Sequence, residues 1–302
     1  MTEDKIKGSV LALAMGDALG AAYEGGVLEK TAWKAIGKHR GKCRWTDDTQ
    51  MSIDIMESLV ANGAVNQDDI ANRFANSYEW SRGYGPGAAK ILKKIKKGMP
   101  WENASRSVYK DGSYGNGAAM RVGPIGLFFA DQSVGAVVEA ATKTAVITHA
   151  HPLGVEGAVL VALATARAFK DDDTASILTI LGKAAADPVF QEKLQVASDW
   201  LLKTAANEVS EVRAVLGNGI AAQDSVISAI YCALSHRERS FEDLLDYIRT
   251  LGGDVDTIGA MAGAIWGAAR GAGALPENQL QRVEQYDYIE DLAARFANAI
   301  NG

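Results

Sequence analysis

Apolar residues recur at spacings of three and four along most of the chain, which places them on one face of an α-helix. Ile6, Val10 and Leu13 follow this spacing in the first segment, and the glycines at positions 16 and 20 then mark its end. The segment is therefore predicted to be an amphipathic helix. Alternation of apolar and polar residues, which is typical of a half-buried strand, is nearly absent. The pattern as a whole predicts an all-α protein.

Further helices are predicted where the same periodicity runs between turn residues. One begins at Thr46-Asp47-Asp48 and ends at Asn62-Gly63, and the next has Pro86 in its first turn and Gly98 after its last. The others cover residues 120–130, 134–147, 153–169, 175–185, 190–205, 221–234, 241–251, 257–270 and 287–300. No proline-rich linker or internal repeat interrupts them, so residues 1–302 are expected to form a single domain.

Two of these segments, 153–169 and 257–270, consist largely of small apolar residues. Glycine and alanine let two helix backbones approach closely. Both segments are therefore predicted to be buried central helices.

Composition narrows the class of protein. The 302 residues include 48% hydrophobic and 23% charged side chains, and 31 Lys and Arg against 37 Asp and Glu give a net charge of −6. The proportions of hydrophobic and charged residues are those of a globular protein. The negative net charge argues against nucleic acid or an anionic membrane as the main partner. Cys43 and Cys232 lack metal-binding spacing and are expected to be buried free thiols. With no signal-peptide pattern and no uninterrupted apolar run of about 18 residues, a cytoplasmic location is expected.

Two short acidic segments stand at predicted helix starts. The first is Thr46-Asp47-Asp48, and the second, preceded by two glycines, is Asp254-Val255-Asp256-Thr257. Carboxylate and hydroxyl oxygens suit Mg²⁺ or Mn²⁺, and the absence of His and Cys from both segments argues against zinc. Asp and Thr at helix starts are also ordinary N-caps, and capping is compatible with metal binding. Four converging carboxylates would repel one another, and bound cations are the simplest remedy.

Three more segments are candidates for chemistry, each with a plain structural alternative. The glycine-rich stretch 112–121 can present backbone N–H groups to a phosphate, although it lacks the ending of a P-loop. His149 and His151 precede Pro152 and could bind a metal, but local hydrogen bonding or capping is favoured. The lysines at positions 90–97 alternate with apolar residues, which predicts an amphipathic helix with a solvated face and, as the lesser alternative, a polyanion-docking face.

Five sequence blocks, in this order, resemble those of the ADP-ribosylglycohydrolase family, which includes dinitrogenase reductase-activating glycohydrolases and vertebrate ADP-ribosylhydrolases. The blocks are GDALGAAYE, WTDDTQMS, SYGNGAAMRVGPIGLF, ITHAHPLG and GGDVDTIGAMAGAI. They extend from Gly16 to about Ile265 and so cover most of the chain. The resemblance implies a single compact, orthogonal all-α domain around a central site for two Mg²⁺ or Mn²⁺ ions.

The resemblance also implies roles for particular residues. The implied metal ligands are Thr46, Asp47, Asp48, Asp254, Asp256 and Thr257. The implied catalytic residues are Glu24, on an acidic loop, together with Asp48 and Asp256. The implied substrate contacts are Ser113, Tyr114, Gly115 and Asn116 for the diphosphate and adenosine, His149 near the distal ribose, and Gly85 and Ile220.

The stretches 82–87 and 216–222 look most like the branch that hydrolyses serine-linked ADP-ribose and poly(ADP-ribose). One departure is Val108, which stands where that branch has a second adenine-stacking Phe; Tyr109 is beside it. The expected function is hydrolysis, assisted by the two metals, of the C1″ bond of ADP-ribose attached to a protein side chain. Serine-linked ADP-ribose is the favoured substrate, and poly(ADP-ribose) and O-acetyl-ADP-ribose are further candidates. An arginine-specific hydrolase and a non-catalytic ADP-ribose-binding relative are the alternatives. The expected partner is an ADP-ribosylated protein or small molecule, and the protein is expected to be a monomer.

Overall fold

The structure, a computed structural model, describes residues 2–23, 38–39, 41–202 and 207–301. Helices dominate these residues, as predicted. They are α1 (Thr2–Gly20), α2 (Asp47–Asn62), α3 (Gln67–Ser77), α4 (Pro86–Lys96), α5 (Trp101–Arg106), α6 (Gly123–Phe128), α7 (Val134–Ala145), α8 (Pro152–Phe169), α9 (Thr174–Ala184), α10 (Pro188–Leu202), α11 (Val209–Val215), α12 (Val226–Ser235), α13 (Phe241–Leu251), α14 (Val255–Arg270), α15 (Glu277–Leu280) and α16 (Tyr286–Asn301). Short 3₁₀ helices lie at Ala21–Tyr23, Trp80–Arg82, Asn116–Arg121, Ala222–Asp224 and Ala272–Ala274.

Helices α1 and α14 cross at the centre of the molecule, with glycines at their contact. A Cβ atom added at Gly16 would lie 2.1 Å from the carbonyl oxygen of Gly259, and one added at Gly263 would lie 2.3 Å from that of Ala12. The contact confirms the prediction of a buried central helix for segment 257–270. The N-terminal segment is a helix, as predicted. The prediction that this helix is amphipathic is wrong, because α1 is buried on every side from Gly8 to Gly20.

Helix α8 is the second predicted central helix, and it is largely buried against α6, α7, the 3₁₀ helix Asn116–Arg121 and α14. Among the described residues it is the helix long and apolar enough to cross a membrane, with mean hydropathy 1.4, but 72% of it is buried inside the protein. Helices at the core of globular proteins commonly have this character. Cys43 and Cys232 are buried free thiols, as expected.

A small β structure stands before α2 and was not predicted. Strands β1 (Lys38–His39) and β2 (Lys42–Cys43) pair antiparallel. Cys43 also exchanges backbone hydrogen bonds with residues near the start of α16: its N–H donates to Arg282, and its carbonyl accepts from Glu284. This pairing fixes the chain that leads into α2, where the first acidic segment lies.

Several helix boundaries differ from the predictions. The helix expected over 120–130 is divided into the 3₁₀ helix Asn116–Arg121 and α6, because Pro124 has no N–H to continue a helix and instead occupies the first turn of a new one. The helix expected from residue 221 begins at Val226, after a 3₁₀ turn. Helices α3, α5, α11 and α15 were not predicted, and residues 203–205 of the segment expected at 190–205 lie outside the described residues.

Candidate active site

The first acidic segment begins helix α2, and Thr46 is its N-cap. The Thr46 hydroxyl accepts a hydrogen bond from the backbone N–H of Asp48 (3.3 Å) and donates one to the Asp48 carboxylate (2.6 Å). Capping is therefore confirmed at this helix start. It also holds the Asp48 side chain in one orientation, inside the protein.

The second acidic segment begins helix α14. Gly252 and Gly253, which precede it, have φ angles of +69° and +76°, which residues with a side chain rarely adopt. A Cβ atom at Gly253 would also lie 2.0 Å from the carbonyl oxygen of Asn218. Asp254 occupies the N-cap position, but its side chain makes no capping bond and instead accepts a hydrogen bond from Asn116 Nδ2 (2.5 Å). Capping therefore does not explain the Asp254 carboxylate.

The fold brings the two acidic segments together, although more than 200 residues separate them in the sequence. Carboxylate oxygens of Asp17, Asp48 and Asp256 all lie within 4.8 Å of one another, and all three residues are buried. Residues 48 and 256 therefore lie close together in the folded protein.

Asp17, on α1, is the member of this cluster that the sequence analysis missed. Its carboxylate accepts hydrogen bonds from the backbone N–H of Thr46 (2.9 Å) and of Thr49 (3.0 Å), and from the Thr49 hydroxyl (2.5 Å). It therefore holds the first turn of α2 in place. The signal in the sequence was a single acid inside an otherwise apolar helix, LALAMGDALG, where a charge needs buried partners.

Burial dominates the electrostatics of the cluster. Burial, followed by the charges of Asp17 and Asp47, raises the pKa of Asp48 well above its ordinary value. Burial also raises the pKa of Asp254, and that of Asp17 to about 6. Among the described residues, no Lys or Arg forms an ion pair with any of Asp17, Asp48 and Asp254. These three carboxyl groups are thus buried without a Lys or Arg partner among the described residues.

The donor set fits a hard divalent cation. Asp48 Oδ1 is buried and has no hydrogen-bond partner within the described part of the chain, which is costly for a carboxylate oxygen unless something else binds it. The surrounding donors are carboxylate oxygens and the hydroxyls of Thr46 and Thr257, which are ligand types preferred by Mg²⁺ and Mn²⁺.

Asp48 and Asp256 of this acidic cluster line a cavity of about 370 Å³, which is within the size range of small-molecule sites. Of the predicted site residues, those that line it are Asp47, Asp48, Gly85, Ser113, Gly115, Asn116, His149, Ile220, Asp254, Asp256 and Thr257. Thr46 and Tyr114 do not line the cavity. Thr46 hydrogen-bonds to Asp48, and Tyr114, which stands between Ser113 and Gly115 in the sequence, is 54% exposed. Glu24 lies outside the described residues. Lining residues that were not predicted are Met51, Gly83, Pro86, Gly87, Ala88, Tyr109, Gly117 and Met120.

The two histidines have different environments. His151 is the N-cap of α8 and accepts a hydrogen bond from Leu153 N–H, so the capping interpretation holds for it. His149 is buried at the cavity wall, with Nδ1 2.7 Å from the Thr148 hydroxyl. Burial, together with the nearby charge of Arg121, lowers the pKa of His149 to about 3, so its ring is neutral at physiological pH. No metal-ligand grouping among the described residues contains either histidine.

The family model described as ADP-ribosylglycohydrolase matches residues 1–302 of the chain. The chain belongs to the ADP-ribosylglycohydrolase family. Its sequence is 36% identical over 282 residues to ADP-ribosylhydrolase ARH3 of Homo sapiens, covering 82% of this chain and 77% of the human protein. An uncharacterized protein of Archaeoglobus fulgidus is 31% identical, with 97% of this chain and 96% of that protein covered.

A solved structure of an ADP-ribosylglycohydrolase-related protein complex is similar over 99% of this chain and 98% of that one, with a TM-score of 0.73. At 23% sequence identity this likeness shows the shared fold. Membership of the ADP-ribosylglycohydrolase family makes the chain a hydrolase that acts on a glycosidic bond. The cavity, with the acidic side chains that line it, is the candidate active site of this hydrolase.

Proposed function

We propose that this hydrolase releases ADP-ribose by cleaving the C1″ bond between its distal ribose and a side chain of a modified protein, with serine-linked ADP-ribose as the favoured substrate. The observation that carries the proposal is the meeting of Asp17, Asp48 and Asp256 within 4.8 Å, where Asp48 and Asp256 line a cavity of small-molecule size. Poly(ADP-ribose) and O-acetyl-ADP-ribose contain the same type of bond and are further candidate substrates.

Two Mg²⁺ or Mn²⁺ ions are the proposed cofactors. The residues that would hold them are Thr46, Asp47, Asp48, Asp254, Asp256 and Thr257. Bound there, the ions would polarise ribose hydroxyls and lower the pKa of water. Among the residues that the structure describes, Asp48 Oδ1 has no hydrogen-bond partner and neither Asp48 nor Asp254 has an ion-pair partner, which supports this assignment.

Protein groups around the cavity are proposed to stabilise the transition state and to position the substrate. Glycosidic bond cleavage develops positive charge at C1″, and the buried carboxylates of Asp48 and Asp256 would stabilise that charge. His149 stays neutral and can hydrogen-bond a ribose hydroxyl without adding a competing positive charge. Glu24 is proposed to position the leaving group or the attacking water.

The adenosine diphosphate portion is proposed to lie along the cavity wall that the glycine-rich stretch 112–121 forms. Ser113 and Gly115 line this wall. The exposed ring of Tyr114 packs edge-on against the ring of His151, with 5.6 Å between the two ring centroids. The side chain of Ile220 is 73% exposed and lines the same cavity. Exposed apolar side chains that face a cavity favour contact with a ligand, here the adenine and its ribose.

Replacement of either central acid tests the proposal. Asp48→Asn and Asp256→Asn should each lower the rate of ADP-ribose release by more than about 100-fold, because each removes a negative charge that the cations and the transition state require. Circular dichroism should remain close to that of the wild type. The matched control is Asp199→Asn, an exposed acid on α10 whose replacement should leave the rate unchanged. Retained turnover in both cluster variants contradicts the proposed centre.

The substrate should be identified with a panel of serine-linked, arginine-linked and poly(ADP-ribosyl)ated substrates, each assayed with Mg²⁺ and with EDTA. We expect the serine-linked substrate to be released fastest and EDTA to abolish release. Preference for the arginine-linked substrate overturns the serine assignment but keeps the reaction. Failure to release ADP-ribose from every substrate contradicts the function itself.

A further inference from the structure

Asn116 stands where three separate segments of the chain meet. It belongs to the glycine-rich stretch that lines the cavity, and it is only 7% exposed. The other two segments are the second acidic segment, which carries Asp254, and the loop 216–224, which carries Ile220. The family resemblance implies a substrate contact for Asn116, but its hydrogen bonds indicate a different role.

The amide nitrogen of Asn116 has two hydrogens, and the protein accepts both of them. One goes to the Asp254 carboxylate (Nδ2 to Oδ2, 2.5 Å) and the other to the Ser225 hydroxyl oxygen (3.0 Å). The single hydroxyl hydrogen of Ser225 goes to the carbonyl of Ala221 (3.1 Å), so Ser225 acts as the acceptor toward Asn116. Asn116 Nδ2 therefore has no hydrogen left for a substrate.

Backbone hydrogen bonds join the same three segments. The N–H of Asn116 donates to the carbonyl oxygen of Ile220 (3.0 Å), and the N–H of Ala222 donates to the carbonyl oxygen of Tyr114 (2.9 Å). The N–H of Asp254 donates to Asn218 (2.9 Å). The loop 216–224 is thus bonded to the glycine-rich stretch at one point and to the second acidic segment at another.

Lys193, on α10, fastens this loop from outside the cavity. Its ammonium group donates to the carbonyl of Leu216 (2.8 Å) and to that of Gln223, and it pairs with the carboxylate of Asp224 (3.2 Å). The loop therefore has a fixed position, against which Asn116 and Asp254 are both held.

We propose that Asn116 is a positioning residue for Asp254, holding this carboxylate in the orientation that a divalent cation requires. The inference rests on the proposed function, since it assumes that Asp254 binds a cation. Groups that hydrogen-bond metal-binding carboxylates fix their orientation, and loss of one commonly weakens metal binding 10- to 100-fold. By this arrangement hydrogen bonds join the glycine-rich stretch that lines the cavity to the second acidic segment.

The test compares Mn²⁺ binding with ADP-ribose binding in one set of variants. Asn116→Leu keeps the size of the side chain and removes its donor; Asn116→Ala removes the donor without adding volume and serves if the leucine variant does not fold. Titration calorimetry would measure the affinity for Mn²⁺ alone and, in EDTA, for ADP-ribose alone. We expect the affinity for Mn²⁺ to fall about 10-fold or more and that for ADP-ribose to change less than about 3-fold.

Ser225→Ala is the matched control. It removes the second acceptor of Asn116 but leaves its bond to Asp254, so the affinity for Mn²⁺ should stay within about 3-fold of the wild type. A loss of ADP-ribose affinity equal to or larger than the loss of Mn²⁺ affinity in the Asn116 variants overturns the proposal. An unchanged Mn²⁺ affinity in those variants overturns it as well.

A thermal-unfolding cycle in EDTA separates this inference from the proposed function. Asn116→Leu should lower Tm less in an Asp254→Ala background than in the wild type, and the two losses should differ by about 2 °C or more. The reason is that the Asp254→Ala background has no carboxylate for the substitution to leave unpaired. Additive losses of Tm overturn the pairing. If the wild type binds no Mn²⁺, the metal centre of the proposed function is contradicted, and this cycle still decides whether Asn116 acts on Asp254.

Discussion

At the scale of single residues, the interior of this protein contains acids whose environment opposes their ionisation. Asp54 is an example outside the proposed metal ligands. It lies two turns along α2 from Asp47, is 7% exposed, and accepts hydrogen bonds from Ser77 Oγ (2.5 Å) and Gln50 Nε2 (3.4 Å). Burial raises its pKa to about 7, more than those bonds lower it.

This raised pKa predicts how stability depends on pH. Between the ordinary value of 3.8 and about 7, folded Asp54 keeps its proton while the unfolded chain has released its own, so the contribution of Asp54 to stability decreases as pH rises. Asp54→Asn removes this dependence. Its free energy of unfolding should therefore rise relative to the wild type by about 1–2 kcal/mol between pH 5 and pH 7, measured by urea denaturation in EDTA.

The exposed acid Asp199 provides the control. Asp199→Asn should keep a constant difference from the wild type over the same pH range. A constant difference for Asp54→Asn as well would show that its carboxyl group ionises normally in the folded protein.

At the scale of elements, the position of the site depends on the contact between α1 and α14. Each helix carries an acid into the cluster, Asp17 on α1 and Asp256 on α14. Their backbones can approach closely because glycines face carbonyl oxygens at the contact. A wider separation of the two helices would move these carboxylates apart.

Substitution of one glycine at this contact should be destabilising. A methyl group at Gly263 would lie 2.3 Å from the carbonyl oxygen of Ala12, which cannot move without its helix. Gly263→Ala should therefore lower the free energy of unfolding by about 1–3 kcal/mol in a denaturant titration.

Gly182→Ala is the matched control, since this glycine lies inside α9 and a Cβ there meets nothing within 4 Å. That change should raise the free energy of unfolding by about 0.5–1 kcal/mol, because alanine favours the helix more than glycine does. Equal effects of the two substitutions would mean that α1 and α14 are not in close contact.

The elements themselves were predictable where the pattern was long and regular. Helix α8 was predicted within one residue at its start, since its apolar run lies between Pro152 and a polar stretch. The split at Gly123-Pro124 was missed because the apolar periodicity continues across it, although the proline prevents a continuous helix. Helix α3 was missed because few of its residues are apolar, and it is recognisable mainly by the Asn66 cap and the buried Ile70 and Phe74.

At the scale of the whole molecule, the residues of the site were named from the sequence, but their meeting was not derivable from local pattern. Nothing in the spacing of Asp48 and Asp256 shows that α2 and α14 begin at the same cavity. That expectation came from the family resemblance, and the structure bears it out. Asp17 was missed because an acid inside an apolar helix gives no local sign of which distant groups it bonds, here Thr46 and Thr49.

The convergence of these segments supports the proposal that the two acidic segments together hold divalent cations where they line the cavity. The most direct measurement is an anomalous difference map from crystals of the protein soaked with Mn²⁺ and ADP-ribose. We expect two peaks about 3.5–4 Å apart, in contact with carboxylates of both acidic segments, beside the distal ribose. An absence of peaks there, or Mn²⁺ bound by one acidic segment alone, would contradict the account.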